Sequence, residues 1–78
     1  MNIRRFKVLL EWDEAEGVWV THVPVLDHIS TYGETREQAL ANTREGILGF
    51  LEAAAKEGLP VPQGEPIAEL VEVEVAIA

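Results

Sequence analysis

Two histidines and a nearby aspartate are the first residues whose types could support chemistry. His22 and His28 are the chain's two histidines, and Asp27 stands next to the second. Imidazole and carboxylate groups are common zinc ligands, but a structural zinc site needs four ligands at suitable spacings. No further ligand stands at such a spacing here. The sequence therefore favours one strand histidine and one loop histidine, without a metal.

A second group consists of four acidic residues in one short stretch: Glu11, Asp13, Glu14 and Glu16. Paired carboxylates could hold Mg²⁺ for hydrolysis, and a solvated turn would have the same composition. The sequence shows no Ser/His/Asp or Cys/His arrangement and no glycine-rich phosphate loop. We therefore expect no enzymatic activity, no catalytic residue and no cofactor. The alternative is that the chain retains part of a metal-dependent nuclease site, formed by these acidic residues around the first predicted β-hairpin.

Length and charge limit the remaining classes of function. The chain has 78 residues, which predicts a single domain spanning residues 1–78, and it has no cysteine. A domain this small without disulfides often gains stability by assembling, so we expect a homo-oligomer, either a dimer or a tetramer. The net charge of −8 argues against direct nucleic-acid binding. It would attract a basic protein partner, but on charge alone a role in solubility is the better explanation. The absence of a long apolar run or signal-peptide pattern predicts a cytoplasmic protein without membrane contact.

The pattern of apolar residues predicts the elements that position these side chains. Alternation predicts a strand from Ile3 to Trp12, a hairpin loop, and a second strand from Val18 to Val23. Ser30 to Gly33 suits a brief third strand. Thr35 begins a helix that ends at Gly58, and Leu70 to Ile77 alternates as a fourth strand. The predicted fold is therefore α+β, β-β-β-α-β. It has a four-stranded sheet in the order 4-1-2-3 and one helix packed on one face.

A family resemblance emerges from the residues around the loop and the helix start. The sequence contains a P-x-L loop followed by T-x-G-E-T-x-E-x-A, carried by Pro24, Leu26, Thr31, Gly33, Glu34, Thr35, Glu37 and Ala39. This pattern resembles the HicB-like antitoxin family, and the similarity runs from about Arg5 to Pro62. The family usually has Pro-Gly-Cys after its leucine, where this chain has Asp27, His28 and Ile29.

The resemblance implies a fold and a partner. It implies a partial RNase H-like sheet and the binding of a small, basic, RNA-cleaving HicA-type toxin. Family members often continue into a C-terminal DNA-binding module, and the sequence to Ala78 shows none, so we expect no DNA binding. Another interpretation is a self-assembling domain without a toxin partner.

Apolar residues on both faces of a small sheet predict a partner or subunit interface. Alternation within each strand would place Leu9, Trp19 and Val23 on the face opposite Phe6, Val8 and Leu10. The predicted interface joins this face to the altered loop and to the acidic side of the last strand. Its residues are Leu9, Trp19, Val23, Asp27, His28, Glu72 and Glu74.

Overall fold

A computed structural model describes residues 3–26, 29–61 and 69–78 of the chain. The elements follow one another as β1 (Leu9–Asp13), β2 (Val18–His22), a 3₁₀ turn (Pro24–Leu26), β3 (Ser30–Gly33) and α1 (Arg36–Glu57). The three strands form an antiparallel sheet in the order β1-β2-β3. The protein is therefore α+β. Within the described ranges, no helix is both long and apolar enough to cross a bilayer.

The predicted hairpin forms between β1 and β2. The Gly17 amide donates to the Asp13 carbonyl at 2.8 Å, and Gly17 has a φ of +68°, which glycine adopts without steric cost. The Asp13 side chain accepts the Glu16 amide at 3.1 Å. Part of this acidic cluster therefore has a structural use, since it closes the turn.

The helix begins and ends where the sequence predicts. The Thr35 hydroxyl accepts the Gln38 amide at 3.0 Å, and the Gln38 side chain accepts the Glu34 amide at 2.7 Å. At the other end, Gly58 has a φ of +68°. Gly58 and Leu59 donate to the carbonyls of Ala55 and Ala54, which is the Schellman pattern. Local capping signals thus define both helix ends.

One face of the sheet is covered by α1, which packs across β3 and β2. The centre of the core consists of Val23, Leu26 and Ile47, with half-buried apolar side chains around it: Phe6, Val8, Val25, Ile29, Phe50 and Leu51. The buried positions of α1 are Ala39, Thr43, Ile47 and Ala54, which agrees with the predicted packing of one helix on one face of the sheet.

The predicted fourth strand is wrong, and so is the order 4-1-2-3. Residues 69–78 form no strand, and the five large apolar side chains from Leu70 to Ile77 are between 67% and 98% exposed. Alternation makes a segment suited to a sheet, but a strand also needs a neighbouring edge with which to form hydrogen bonds. Residues 69–78 have no such neighbour among the described residues.

The predicted first strand is shorter than expected, because β1 starts at Leu9 rather than Ile3. Leu9 pairs with His22, the last residue of β2. Beyond His22 the chain turns into the 3₁₀ segment, where the Leu26 amide donates to the Val23 carbonyl at 2.9 Å. Residues 3–8 are therefore not part of the described sheet, although Phe6 and Val8 still pack against the core.

The predicted grouping of Leu9, Trp19 and Val23 on one face is also wrong. Trp19 pairs with Trp12, and Thr21 pairs with Leu10. Directly paired residues share a face, so Trp19 lies on the face of Leu10 and Trp12. Val23 is fully buried in the core. Leu9 pairs with His22 and lies on the opposite face.

Candidate protein-binding surface

The sheet has one face that α1 does not cover. Thr21 bonds to Thr43 of the helix, which identifies the helix side, and strand alternation then assigns the other side. We call that other side the open face. Its residues are Leu9, Glu11, Asp13, Val18, Val20, His22, Ser30 and Tyr32.

The middle of the open face is apolar. Val20 lies on the central strand, between Glu11 of β1 and Tyr32 of β3. Val18 and Val20 are half-buried, Tyr32 is 67% exposed and Leu9 is 47% exposed. A shallow concavity of about 370 Å³ is lined by Val18, Val20 and Tyr32 together with four polar residues, Asp13, Glu16, Ser30 and Thr31. The face thus offers aliphatic and aromatic contact area to a partner.

One end of the open face is acidic. Glu11 and Asp13 belong to the face itself, and Glu14 and Glu16 follow in the hairpin turn. A second concavity of about 330 Å³ lies beside three of these residues and Val20. Across the described part of the chain, no three histidine, cysteine or carboxylate side chains gather closely enough to hold a metal ion. These acidic residues place negative charge beside the apolar residues Val18 and Val20.

The predicted interface residues fall in different places. Leu9 is on the open face, whereas Trp19 and Val23 are on the helix side. Glu72 and Glu74 are exposed within residues 69–78. Asp27 and His28 lie outside the described residues. His22, the other histidine, is exposed on the open face.

The two tryptophans pack against each other on the helix side of the hairpin. Their rings meet edge to face, with centroids 5.4 Å apart and an interplanar angle of 61°. Trp12 is 50% exposed, because α1 packs on β3 and β2 rather than on β1. The pair stabilises the end of the hairpin and leaves one indole partly open to solvent.

Three threonine hydroxyls form a cluster between the sheet and the helix. The Thr21 hydroxyl lies 2.6 Å from that of Thr43 and 2.8 Å from that of Thr31, and Thr31 and Thr43 are also 2.8 Å apart. The Thr43 hydroxyl donates to the Ala39 carbonyl at 2.8 Å. Thr21 and Thr43 are fully buried. The hydroxyls bond to one another and to backbone carbonyls, and the cluster therefore fixes the helix against the sheet.

The T-x-G-E-T-x-E-x-A residues also have structural roles. A Cβ on Gly33 would lie 2.5 Å from the Ala39 nitrogen and 2.9 Å from its Cα, so only glycine lets β3 approach the helix this closely. Thr31 joins the hydroxyl cluster, and Thr35 caps the helix. The motif that carries the family resemblance therefore builds the junction between β3 and α1.

The predicted interface contains only Leu9 of the open face and omits its other seven residues. Four of these have no predicted site role of any kind: Val18, Val20, Ser30 and Tyr32. The available signal was the alternation of β2 counted from the hairpin. If Asp13 faces Val18 across the turn, Val20 and its partner Tyr32 share their face.

A comparison with known proteins supplies a relative. The chain is 32% identical over 59 residues to the UPF0150 protein Ta0767 of Thermoplasma acidophilum, a match that covers 76% of this chain and 84% of that protein. No protein-family model and no solved structure matches the chain.

Proposed function

This chain belongs to the UPF0150 family, and we propose that it acts as a HicB-like antitoxin-type domain. In this proposal it binds a small, basic, RNA-cleaving toxin of the HicA type and neutralises it by covering its surface. The observation that carries the proposal is the open face, which combines an apolar centre with an acidic end and which α1 leaves uncovered.

The apolar centre would supply most of the affinity. Protein interfaces typically place aromatic and aliphatic residues at the middle of the contact and polar residues around it. Val20 and Tyr32 face each other across β2 and β3, and Val18 extends the patch along β2. Tyrosine is enriched among residues that dominate binding energy, since it buries a large ring and retains a hydrogen-bonding hydroxyl.

The acidic end would select a basic partner. Glu11, Asp13, Glu14 and Glu16 add to a net charge of −8, so a positively charged protein would be attracted before contact. Such complementarity raises association rates and rejects partners of the wrong charge more than it adds affinity. We therefore assign specificity to the hairpin carboxylates and affinity to the apolar centre.

The proposed role is not catalytic. In this view the antitoxin contributes a surface and the toxin contributes the chemistry. Two observations support it. The hydroxyl cluster is enclosed by the sheet and α1, and Asp13 already accepts a backbone amide in its own turn.

The test is co-expression with a small basic protein encoded next to this chain's gene, followed by purification at moderate salt. We expect a stable complex. Val20→Arg should weaken it at least about thirtyfold, because a charged side chain would be desolvated at the centre of the interface. Leu48→Arg is the matched control, since Leu48 is 51% exposed on α1, and it should change affinity less than about twofold.

Two results would reject the proposal. One is the failure of every neighbouring basic protein to form a complex that survives size-exclusion chromatography. The other is a complex that Val20→Arg and Leu48→Arg affect equally, because the toxin would then bind elsewhere than on the open face.

A further inference from the structure

The larger concavity of the open face has a floor and one side that are apolar. Its volume is about 370 Å³, and pockets that hold small ligands measure about 300–1,000 Å³. Val18 and Val20 form the floor, since both are half-buried and they stand two residues apart on β2. Tyr32 pairs with Val20 across β2 and β3, so its exposed ring borders the floor. An aliphatic chain lying here would contact methyl groups below it and an aromatic ring beside it.

The end of this concavity next to the hairpin turn is acidic. Asp13 and Glu16 line it, and Asp13 pairs with Val18 across the hairpin, which places its carboxylate at the border of the floor. The Asp13 Oδ1 atom accepts the Glu16 amide at 3.1 Å. This bond orients the carboxylate, and an ionised carboxylate has about four acceptor positions. Asp13 can therefore accept further hydrogen bonds from a ligand.

The concavity has no positive charge of its own. The chain has six lysines and arginines, and none of them is among the described residues that line this space. An apolar floor that leads to carboxylates complements a cation on an aliphatic stem. A wholly apolar ligand would leave the carboxylates without a counter-charge, and an acidic ligand would be repelled.

Arginine satisfies these surroundings better than lysine does. Both side chains lay an aliphatic stem along apolar surface and keep the charged end in water. The guanidinium is planar, donates two parallel hydrogen bonds to one carboxylate and stacks on aromatic rings, whereas the ammonium is a compact and strongly hydrated point charge. Asp13 offers the carboxylate and Tyr32 offers the ring. Arginine is also enriched among the residues that dominate binding energy at protein interfaces.

We propose that this concavity receives one arginine side chain of the basic partner. The stem lies over Val18 and Val20 beside the ring of Tyr32. The guanidinium reaches the carboxylates of Asp13 and Glu16. The inference rests on the proposed function, because it names the group of the basic protein that the open face recognises. It also places the specificity of the contact where the apolar centre meets the acidic end.

A titration of the isotopically labelled full chain with a blocked amino acid tests the pocket directly. The probe is N-acetyl-arginine methylamide, and nuclear magnetic resonance follows the methyl signals of Val18 and Val20 and the ring signals of Tyr32. These signals should shift saturably, whereas the methyl signals of Leu48 on α1 should not. N-acetyl-lysine methylamide should bind at least about threefold more weakly, because its ammonium neither stacks nor donates in a planar fork. The neutral citrulline analogue should bind at least about tenfold more weakly, because it lacks the charge.

Variants test the two walls of the pocket. Glu16→Gln should weaken arginine binding at least about threefold, and it leaves the turn intact because Glu16 contributes its backbone amide there. Glu52→Gln is the matched control, since it makes the same charge change at an exposed position of α1. It should alter arginine binding by less than about 1.5-fold. Tyr32→Leu keeps an apolar side wall without a ring, and it should reduce the preference for arginine over lysine to less than about 1.5-fold.

Three outcomes would overturn the inference: no saturable shifts at the pocket residues, equal binding of the arginine and lysine probes, or equal effects of Glu16→Gln and Glu52→Gln. These titrations contain no toxin, so the two proposals fail separately. A toxin complex that Val20→Arg weakens, together with no arginine binding, would overturn the pocket alone. Arginine binding in the pocket without any toxin complex would reject the proposed function alone.

Discussion

The two faces of this three-stranded sheet are occupied in different ways. The helix face is closed by α1 and contains the hydroxyl cluster of Thr21, Thr31 and Thr43 together with the close approach at Gly33. The open face holds Val20 and Tyr32 without any covering element of the described chain. Packing therefore restricts the residues on one face, whereas the other is free to suit a partner.

This difference separates evidence for the fold from evidence for function. The T-x-G-E-T-x-E-x-A residues lie at the β3–α1 junction and on the helix side, where packing and capping explain them. The motif thus identifies the fold directly and a partner only indirectly. Substitutions on the helix face should change the free energy of unfolding, whereas substitutions on the open face should change binding.

The largest expected effect on stability is that of Gly33→Ala. The added methyl would meet backbone atoms of Ala39 at 2.5 and 2.9 Å, so α1 must shift away from β3. We expect a loss of about 3 kcal/mol, at the upper end of the usual cost of overpacking. Chemical denaturation followed by circular dichroism would measure it.

Gly49→Ala is the matched control for this substitution. Gly49 lies within α1, and outside its own stretch of helix no atom of the described residues lies within 4 Å of a methyl group added there. Alanine there should stabilise the helix by about 0.5–1 kcal/mol. A Gly33→Ala variant as stable as the parent chain would show that α1 can shift away from β3 at little cost. The close approach of β3 to α1 would then not explain why residue 33 is a glycine.

A smaller effect is expected from Thr43→Val, which keeps the shape of the side chain and removes its hydroxyl. Thr21 and Thr31 would each lose a partner at 2.6 and 2.8 Å in a buried setting. Leaving buried polar groups with fewer partners costs about 1–3 kcal/mol. We expect a loss of about 2 kcal/mol in the free energy of unfolding.

A double-mutant cycle sharpens this prediction. If the hydroxyls act as a unit, Thr21→Val combined with Thr43→Val should cost less than the sum of the two single variants. Strict additivity would mean that the hydroxyls contribute independently, and the cluster would not be the link between sheet and helix described above.

How far the sequence predicts the fold depends on how local each signal is. The ends of α1 are predictable from Thr35 and Gly58, because capping involves residues within one helical turn. The hairpin is predictable for the same reason. The pattern from Leu70 to Ile77 predicts a strand. Whether that strand forms depends on a free sheet edge elsewhere in the chain, and the alternation within residues 70–77 contains no information about such an edge.

The open face shows a similar limit. Alternation correctly separates neighbouring residues of one strand, but the relation between two strands depends on the register across the turn. Asp13 faces Val18, and this pairing decides that Trp19 lies with Trp12 while Val20 lies with Glu11. Placing Trp19 on the face of Leu9 amounts to shifting β2 by one residue relative to β1. A shift of one residue moves every side chain of a strand to the other face of the sheet.

The smallest effect on stability, with a large effect on binding, is expected from Tyr32→Ala. Tyr32 is 67% exposed on the open face, and its backbone carbonyl rather than its side chain accepts a hydrogen bond from the side-chain amide of Asn42. The free energy of unfolding should change by about 0.5 kcal/mol or less. Affinity for the basic partner should fall at least about tenfold if the ring contributes to the centre of the interface.

Leu48→Ala provides the comparison, because Leu48 is 51% exposed on α1, away from the open face. It should leave both binding and stability close to those of the parent chain. Denaturation curves and titration calorimetry on the same preparations would compare the two faces directly. A Tyr32→Ala variant that unfolds easily would mean that the open face supports the fold, and the division between a structural and a binding face would then fail.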